Sequence, residues 1–231
     1  MVPANALQRT FRLSYGGSCG TCFTVDVDNR QYVITARHVL PGIAGNVSVN
    51  IWHERAWKPL QCDVVGIAPG SIDIVVLAPP FPISPSLRLT PGTDEMYLSQ
   101  DAYFLGFPFG LHSEVGAINS DLPIPLVKKA CVSMFSFATG TEKYILLDGH
   151  NNPGFSGGPV IYTRPGDIHD VRVAGVISSY RFEWDKVYLG GKETPLSIQY
   201  NTGIIVAYSI AHALELIIAN PIGAPLVTPG A

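Results

Sequence analysis

Asn152-Pro153-Gly154-Phe155-Ser156-Gly157-Gly158-Pro159-Val160 is the stretch whose reading decides the fold. A serine held in a glycine-rich turn presents its hydroxyl, and its small neighbours leave backbone N–H groups open. Acyl transfer needs both. Gly154-x-Ser156-x-Gly158 also fits the strand–turn–helix elbow of α/β-hydrolases, in which Asp and His follow the serine. Here Gly157-Gly158-Pro159-Val160-Ile161-Tyr162 continues as a strand. No parallel βαβ pattern supports Asp170 or Asp185 with His212 as the later partners.

Two segments lie upstream: Thr35-Ala36-Arg37-His38-Val39 and Ser71-Ile72-Asp73-Ile74-Val75-Val76-Leu77. A serine hydroxyl is a weak nucleophile at neutral pH. It needs a base in hydrogen-bond reach, and the base needs an anion to fix its tautomer. His38 is the expected base, at a strand end before Leu40-Pro41-Gly42. Asp73 is the expected orienter, because its apolar neighbours imply burial and a buried carboxylate must be paired. Asp63, in Cys62-Asp63-Val64-Val65, competes for that role, but its context and its distance from His38 in sequence favour Asp73.

In this order the three segments resemble the trypsin-like (chymotrypsin-fold) serine endopeptidases, and the separations of 35 and 83 residues fit. Gly106-Phe107-Pro108-Phe109-Gly110 and Gly175 to Ser179 add softer matches, so the resemblance covers about residues 14–219. It implies that His38 and Asp73 come from one barrel and Ser156 from a second, with the site in the cleft between them. It also implies an oxyanion hole made by the backbone N–H groups of Gly154 and Ser156, and a substrate edge at Ile177-Ser178-Ser179-Tyr180. His150, six residues before Ser156, falls near the floor of the primary specificity pocket; a loop histidine exposed to water is the equal alternative. Protein or peptide substrates are implied, with no cofactor and no metal.

Departures from the pattern sort the chain within that family. There is no Ile-Val-Gly-Gly start, and Phe155 stands where an aspartate would receive a liberated N-terminal amine. The chain is therefore more similar to the non-zymogen bacterial, HtrA-type and viral members than to secreted pancreatic-type trypsins. Tyr180 replaces a glycine common in relatives, which narrows the subsites beyond the first.

The 231 residues are 47% hydrophobic and 14% charged, which excludes a disordered chain. With 23 glycines and 19 prolines, many short strands joined by turns are expected. A formal charge of −3 without like-charge runs gives no reason to expect nucleic acid. Met1 to Thr10 lacks the features of a secretory signal. His212 and Glu215 interrupt the apolar stretch Gly203 to Ala219, which reads as a buried strand and a closing helix, not a membrane span. Val39 occupies the position where secreted relatives carry a cysteine after the histidine, so a cytoplasmic or other reducing compartment is expected. Cys19-x-x-Cys22 with Cys62 and Cys131 is read as thiols, largely buried, ahead of a zinc site. His53, His112 and His169, like His212, are read as surface or packing residues.

Strand-like runs fall in two groups. The first comprises 20–27, 31–35, 47–52, 63–67 and 72–77; the second comprises 102–107, 129–137, 144–147, 158–162, 171–178 and 203–207. A proline-dense segment carrying Pro79, Pro80, Pro82, Pro85 and Pro91 separates them and should run extended over the surface. The expected fold is all-β: two six-stranded antiparallel Greek-key β-barrels (chymotrypsin-like) with a C-terminal α-helix. Expected bounds are about 10–78 for the first barrel, 79–96 for the linker, 97–207 for the second barrel and 209–219 for the helix, with a tail over 220–231. Ser209 is the expected helix cap; Ile210, Ala213, Leu214, Ile217 and Ile218 are its expected apolar stripe. Trp52, Trp57 and Trp184 are read as packing residues. The function read from these residues is a serine endopeptidase working through an acyl-enzyme. The alternatives are a catalytically silent barrel used as a binding module and an α/β-hydrolase-type esterase.

Overall fold

Short turn-bounded runs with alternating burial close into two rings of strands in the computed structural model, which describes residues 2–87, 89–136 and 142–226. The first ring contains β1 (Thr10–Tyr15), β2 (Ser18–Val27), β3 (Arg30–Thr35), β4 (Asn46–His53), β5 (Ala56–Ile67) and β6 (Val75–Ala78). All its pairings are antiparallel, in the order β1-β2-β3-β6-β5-β4 and back to β1. Two-residue turns set the register. Asp28-Asn29 and Glu54-Arg55 all have positive φ, as tight hairpins between twisted strands require. β1 was not among the expected strands, and β5 begins seven residues earlier than expected because its first half pairs with β4. β6 starts only at Val75, so Asp73 lies in the connection that enters it.

The second ring contains β7 (Asp101–Gly106), β8 (Ile124–Ser136), β9 (Tyr144–Asp148), β10 (Pro159–Thr163), β11 (Val171–Leu189) and β12 (Lys192–Ser209). It closes in the order β7-β8-β9-β12-β11-β10 and back to β7. The chain is thus the all-β pair of barrels expected. Phe137, the expected end of one strand, lies outside the described residues, as do residues 227–231 of the tail. Among the described residues no helix is long and apolar enough to cross a membrane.

Burial explains why the barrels stay together. One apolar cluster is confined to the first barrel (Leu13, Val33, Val49, Leu77) and another to the second (Phe104, Val132, Phe155, Ile205). A third spans both, uniting Phe23, Ile34 and Val76 with Leu105, Ile161, Val173 and Val176. The C-terminal helix α2 (Ala211–Ala219; α1 is Ala4–Gln8) adds Ala213 and Ile217 to that shared layer. Its buried face follows the expected stripe at Ile210, Ala213, Leu214 and Ile217 but not at Ile218. His212 is inside, with Nε2 accepting the Lys143 N–H, whereas Ile218 is 73% exposed. The N-cap is Ile210; the Ser209 hydroxyl, one residue earlier, accepts the N–H of Ala211.

Two further expectations are corrected. β11 and β12 do not stop near residues 178 and 203 but run on as a hairpin through Gly190-Gly191, both at positive φ. Tyr180 to Asp185 and Leu196 to Asn201 each alternate apolar and polar residues, a period-two signal that the expected bounds left out. Trp184 sits on it and is 60% exposed, not packed in a core. Trp52 and Trp57 do pack together edge-on, with the Arg12 guanidinium over both rings. The proline-rich linker is held down by Gln31, whose Oε1 accepts the N–H groups of Ile83 and Ser84.

Candidate active site

The nucleophile turn is built by contact between the barrels. Gly157 has φ +84°, and a Cβ there would stand 2.1 Å from Thr21 O. Gly154 has φ +107°, and a Cβ there would stand 2.5 Å from Phe107 O. Only glycine satisfies both the dihedral and the close approach. Between them, the Phe155 ring is buried edge-on against Phe104, which anchors the turn in the second core. Thr21, fully buried on β2, clamps the turn from the first barrel. Its N–H donates to Ser156 O (2.8 Å), its hydroxyl donates to Gly154 O (2.7 Å), and that hydroxyl accepts the Phe107 N–H (3.2 Å). Neither the Gly154 nor the Ser156 N–H donates to any group within the described residues, so both are open.

His38 sits on a single 3-10 turn, Arg37–Val39, directly after β3, and its side chain is 51% exposed. Asp73, flanked by buried Ile72 and Ile74, has a side chain only 13% exposed. Its carboxylate grips the histidine twice: Oδ1 accepts the His38 backbone N–H at 2.9 Å, and Oδ2 lies 2.6 Å from Nδ1. Oδ2 also accepts the Ser178 hydroxyl at 2.6 Å. Burial alone would raise the Asp73 pKa. The hydrogen bonds from the His38 ring, Ser178 and the His38 backbone, with the charge on His38, outweigh burial and hold the carboxyl below its ordinary value. An ionised carboxylate can only accept, so Nδ1 carries a proton toward Asp73, and in the neutral imidazole the free lone pair is then on Nε2.

The Ser156 hydroxyl donates to Ser178 O at 3.3 Å, not to His38. Ser178 therefore joins the two halves: its hydroxyl holds Asp73 and its carbonyl holds Ser156. Asp63 is exposed and accepts from Asn46 Nδ2 at 2.9 Å, away from His38.

An open cleft of about 330 Å³ adjoins Ser156, lined by Asn151, Asn152, Pro153, Ser178, Ser179, Tyr180, Phe182 and Gln199. His150 is exposed and does not line it; its carbonyl accepts from Lys128 Nζ. Buried Asn151 occupies the wall instead, donating to Ser179 O at 3.4 Å. A hollow of similar size under Phe11, Ile51 and Phe81 also holds His53 and Ser120, but His53 Nε2 meets the Ser120 carbonyl at 3.0 Å and no carboxylate lines the hollow.

Two contributors escaped sequence reading. Ser178 was read as substrate edge, not as a partner of Asp73, and Thr21 was not read at all. Thr21 and Gly154 are 133 residues apart, and a single hydroxyl on a strand carries no local sign of such a partner. All four cysteines are free thiols. Burial pushes Cys22 and Cys62 up, the latter to about 12. Among the described residues no three His, Cys, Asp or Glu side chains are placed to share a metal ion.

A family model described as trypsin-like peptidase domain matches residues 20–168. No curated protein matches in sequence. Several solved structures share the fold. The Rv3671c protease from M. tuberculosis in its active form has a TM-score of 0.62 at 17% identity, covering 97% of this chain and 88% of that one. The HtrA-type protease AlgW with tripeptide scores 0.54 at 22% identity, covering 95% and 63%. The serine endoprotease from Yersinia pestis scores 0.58 at 15% identity, covering 95% and 67%.

Proposed function

This chain belongs to the trypsin-like peptidase domain family and is a serine-type peptidase; from that premise we propose that it cuts peptide bonds through an acyl-enzyme on Ser156. His38 acts as general base and acid, Asp73 as its orienter, and the Gly154 and Ser156 N–H groups as the oxyanion site. The observation that carries this reading is the double grip of Asp73 on His38, which engages Nδ1 and leaves Nε2 as the ring nitrogen not held by the carboxylate.

In the first step the Ser156 hydroxyl rotates off Ser178 O toward Nε2. Nε2 takes the proton as Oγ attacks the substrate carbonyl carbon, and the electron pair moves onto the carbonyl oxygen. That oxyanion is met by two N–H groups with no other partner, an interaction whose loss costs about 3 kcal/mol per donor in comparable sites. The imidazolium, stabilised by Asp73, gives its proton to the departing amine, leaving an ester on Ser156. Water then repeats the sequence, with His38 first taking its proton and then returning one to Ser156 Oγ. The substrate main chain adds to the Ser178–Tyr180 edge. Free thiols at all four cysteines agree with work in a reducing compartment such as the cytoplasm.

A fluorophosphonate probe tests the assignment. The parent should be labelled at Ser156, with labelling lost in Ser156→Ala and strongly slowed in His38→Ala. Labelling at another residue, or undiminished labelling in His38→Ala, would falsify it.

A further inference from the structure

We propose that the β11–β12 hairpin is a docking track for the part of a substrate polypeptide that precedes the cut. It would take apolar side chains about five and seven residues upstream of the scissile bond. This rests on the peptidase reading above and extends it away from the catalytic cleft.

β10 pairs with β11 only as far as Val176. From Ser178 to Leu189 the outer edge of β11 has no strand partner among the described residues, although its inner edge is paired with β12 almost to the Gly190-Gly191 turn. A long unpaired edge is a ready template for an added strand. This one begins at the residues that line the cleft beside Ser156, and Phe182 and Gln199 continue that lining onto the hairpin.

The hairpin's two faces differ. Trp184 stands opposite Gln199, and Phe182 opposite Asn201. Cross-strand partners share a face, so Phe182 and Trp184 both look to the cleft side. Asn201 Nδ2 donates to Asn151 O at 2.8 Å, fastening that face to the loop before the nucleophile. The other face alternates Glu183 and Asp185 with Ile198 and Tyr200. Phe182 is 50% exposed and Trp184 60%, so two aromatic side chains stand in solvent beside the cleft with room to cover them.

Strand geometry sets the reach. A peptide antiparallel to β11, with the residue before the cut opposite Ser178, places its fifth and seventh residues opposite Phe182 and Trp184. The span is roughly 20 Å at about 3.3 Å per residue. The occupant is therefore an extended, apolar-patterned polypeptide, not a compact ligand.

Three fluorogenic peptides would share one core taken from a site cut in a peptide-library digest. One ends four residues before the cut. One extends to eight residues with Leu and Phe at the fifth and seventh positions, and one has Asp at both. Turnover is measured with the parent, and affinity by fluorescence anisotropy with Ser156→Ala. The apolar extension should raise kcat/KM and tighten Kd at least tenfold over the short peptide, and the Asp extension should not. Phe182→Ser combined with Trp184→Ser should bring the long-to-short ratio to about one. Ile198→Ser, on the far face, should leave the ratio intact and so shows that the effect is not general loosening of the hairpin. Equal handling of short and apolar-extended peptides, or a ratio that survives the double substitution, would overturn the proposal. A dimer in sedimentation that Trp184→Ser dissolves would also overturn it, assigning the hairpin to a second copy. The short peptide reads the catalytic assignment separately, since its cleavage must depend on His38 whatever the extension does.

Discussion

Replacing Thr21 by Val should damage both the stability and the turnover of this protein, although Thr21 touches no substrate. The side chain is fully buried on β2, and its hydroxyl serves two backbone groups at once. Valine keeps the branched shape and deletes the hydroxyl. Gly154 O loses its donor and Phe107 N–H its acceptor, in a place with no room for water to substitute. A buried polar group left unsatisfied costs about 1–3 kcal/mol, so the two together come to roughly 2–6 kcal/mol. For a chain of this length about 1 kcal/mol moves Tm by roughly 2–4 °C, giving an expected drop of roughly 4–24 °C. Turnover should fall as well. Gly154 O and Gly154 N belong to adjacent peptide units, so releasing the carbonyl lets the N–H swing from the position it must hold for the oxyanion. A loss of ten- to several-hundred-fold in kcat, with a smaller change in KM, is expected within the value of one oxyanion donor. Thr21→Ser, which keeps the hydroxyl and loses only a methyl, should recover most of both. The assays are urea unfolding followed by fluorescence and steady-state kinetics on a peptide substrate, with kcat corrected for folded fraction. Normal kcat per folded molecule in Thr21→Val would refute the idea that the first barrel positions the nucleophile turn through this hydroxyl.

Asp73→Asn should keep the fold and lower kcat by about 10^4-fold, the scale known for the same change in trypsin. Because the folded Asp73 carboxyl is held below its ordinary value, its stabilising contribution is complete above the unfolded value of about 4. That contribution is lost as pH falls through the lower folded value. The stability gap between parent and Asp73→Asn should therefore be constant from neutral pH to about pH 5 and narrow in stronger acid; a gap that widens on acidification would show that the carboxyl is not the stabilised form. Gly157→Ala combines a positive φ with a Cβ 2.1 Å from Thr21 O. It should cost roughly 2–5 kcal/mol in chemical denaturation, and near-parental stability would mean that the turn sits differently against β2. In thiol counting, exposed Cys19 should react first, whereas buried Cys22 and Cys62 should react only on unfolding. Fast labelling of either buried thiol in the native protein would contradict the packing of the first barrel.

In the proposed mechanism the catalytic work divides between the barrels in a way that couples folding to chemistry. The first contributes base, orienter and Thr21; the second contributes the alcohol and Ser178. Two bonds cross between the barrels. Thr21 reaches across to Gly154, and Ser178 reaches back to Asp73. A peptidase assembled this way has no complete site until the shared apolar layer of Phe23, Ile34, Leu105 and Val176 has formed.

Chain order and local chemistry point to His38, Asp73 and the Ser156 turn, because each sits in a segment whose composition is unusual for a reason, and the fold brings the first two into contact. A histidine ends an apolar strand, a carboxylate stands among aliphatic residues, and a serine lies among glycines. They were enough, too, for the all-β class, since turn-formers punctuate short β-branched runs. Three-dimensional packing alone decided the rest. Ser178 and Thr21 act through partners 105 and 133 residues away, and a hydroxyl on a strand looks the same in sequence whether or not such a partner exists. The long hairpin carries the strand alternation at residues 180–185 and 196–201, but both of its faces meet solvent, so no buried run marks how far it extends. The helix departs from its expected stripe at one position: the Lys143 N–H gives His212 a partner inside, and Ile218 is left outside. Sequence specifies what each residue prefers, and where preferences compete the fold chooses by which groups it can satisfy together.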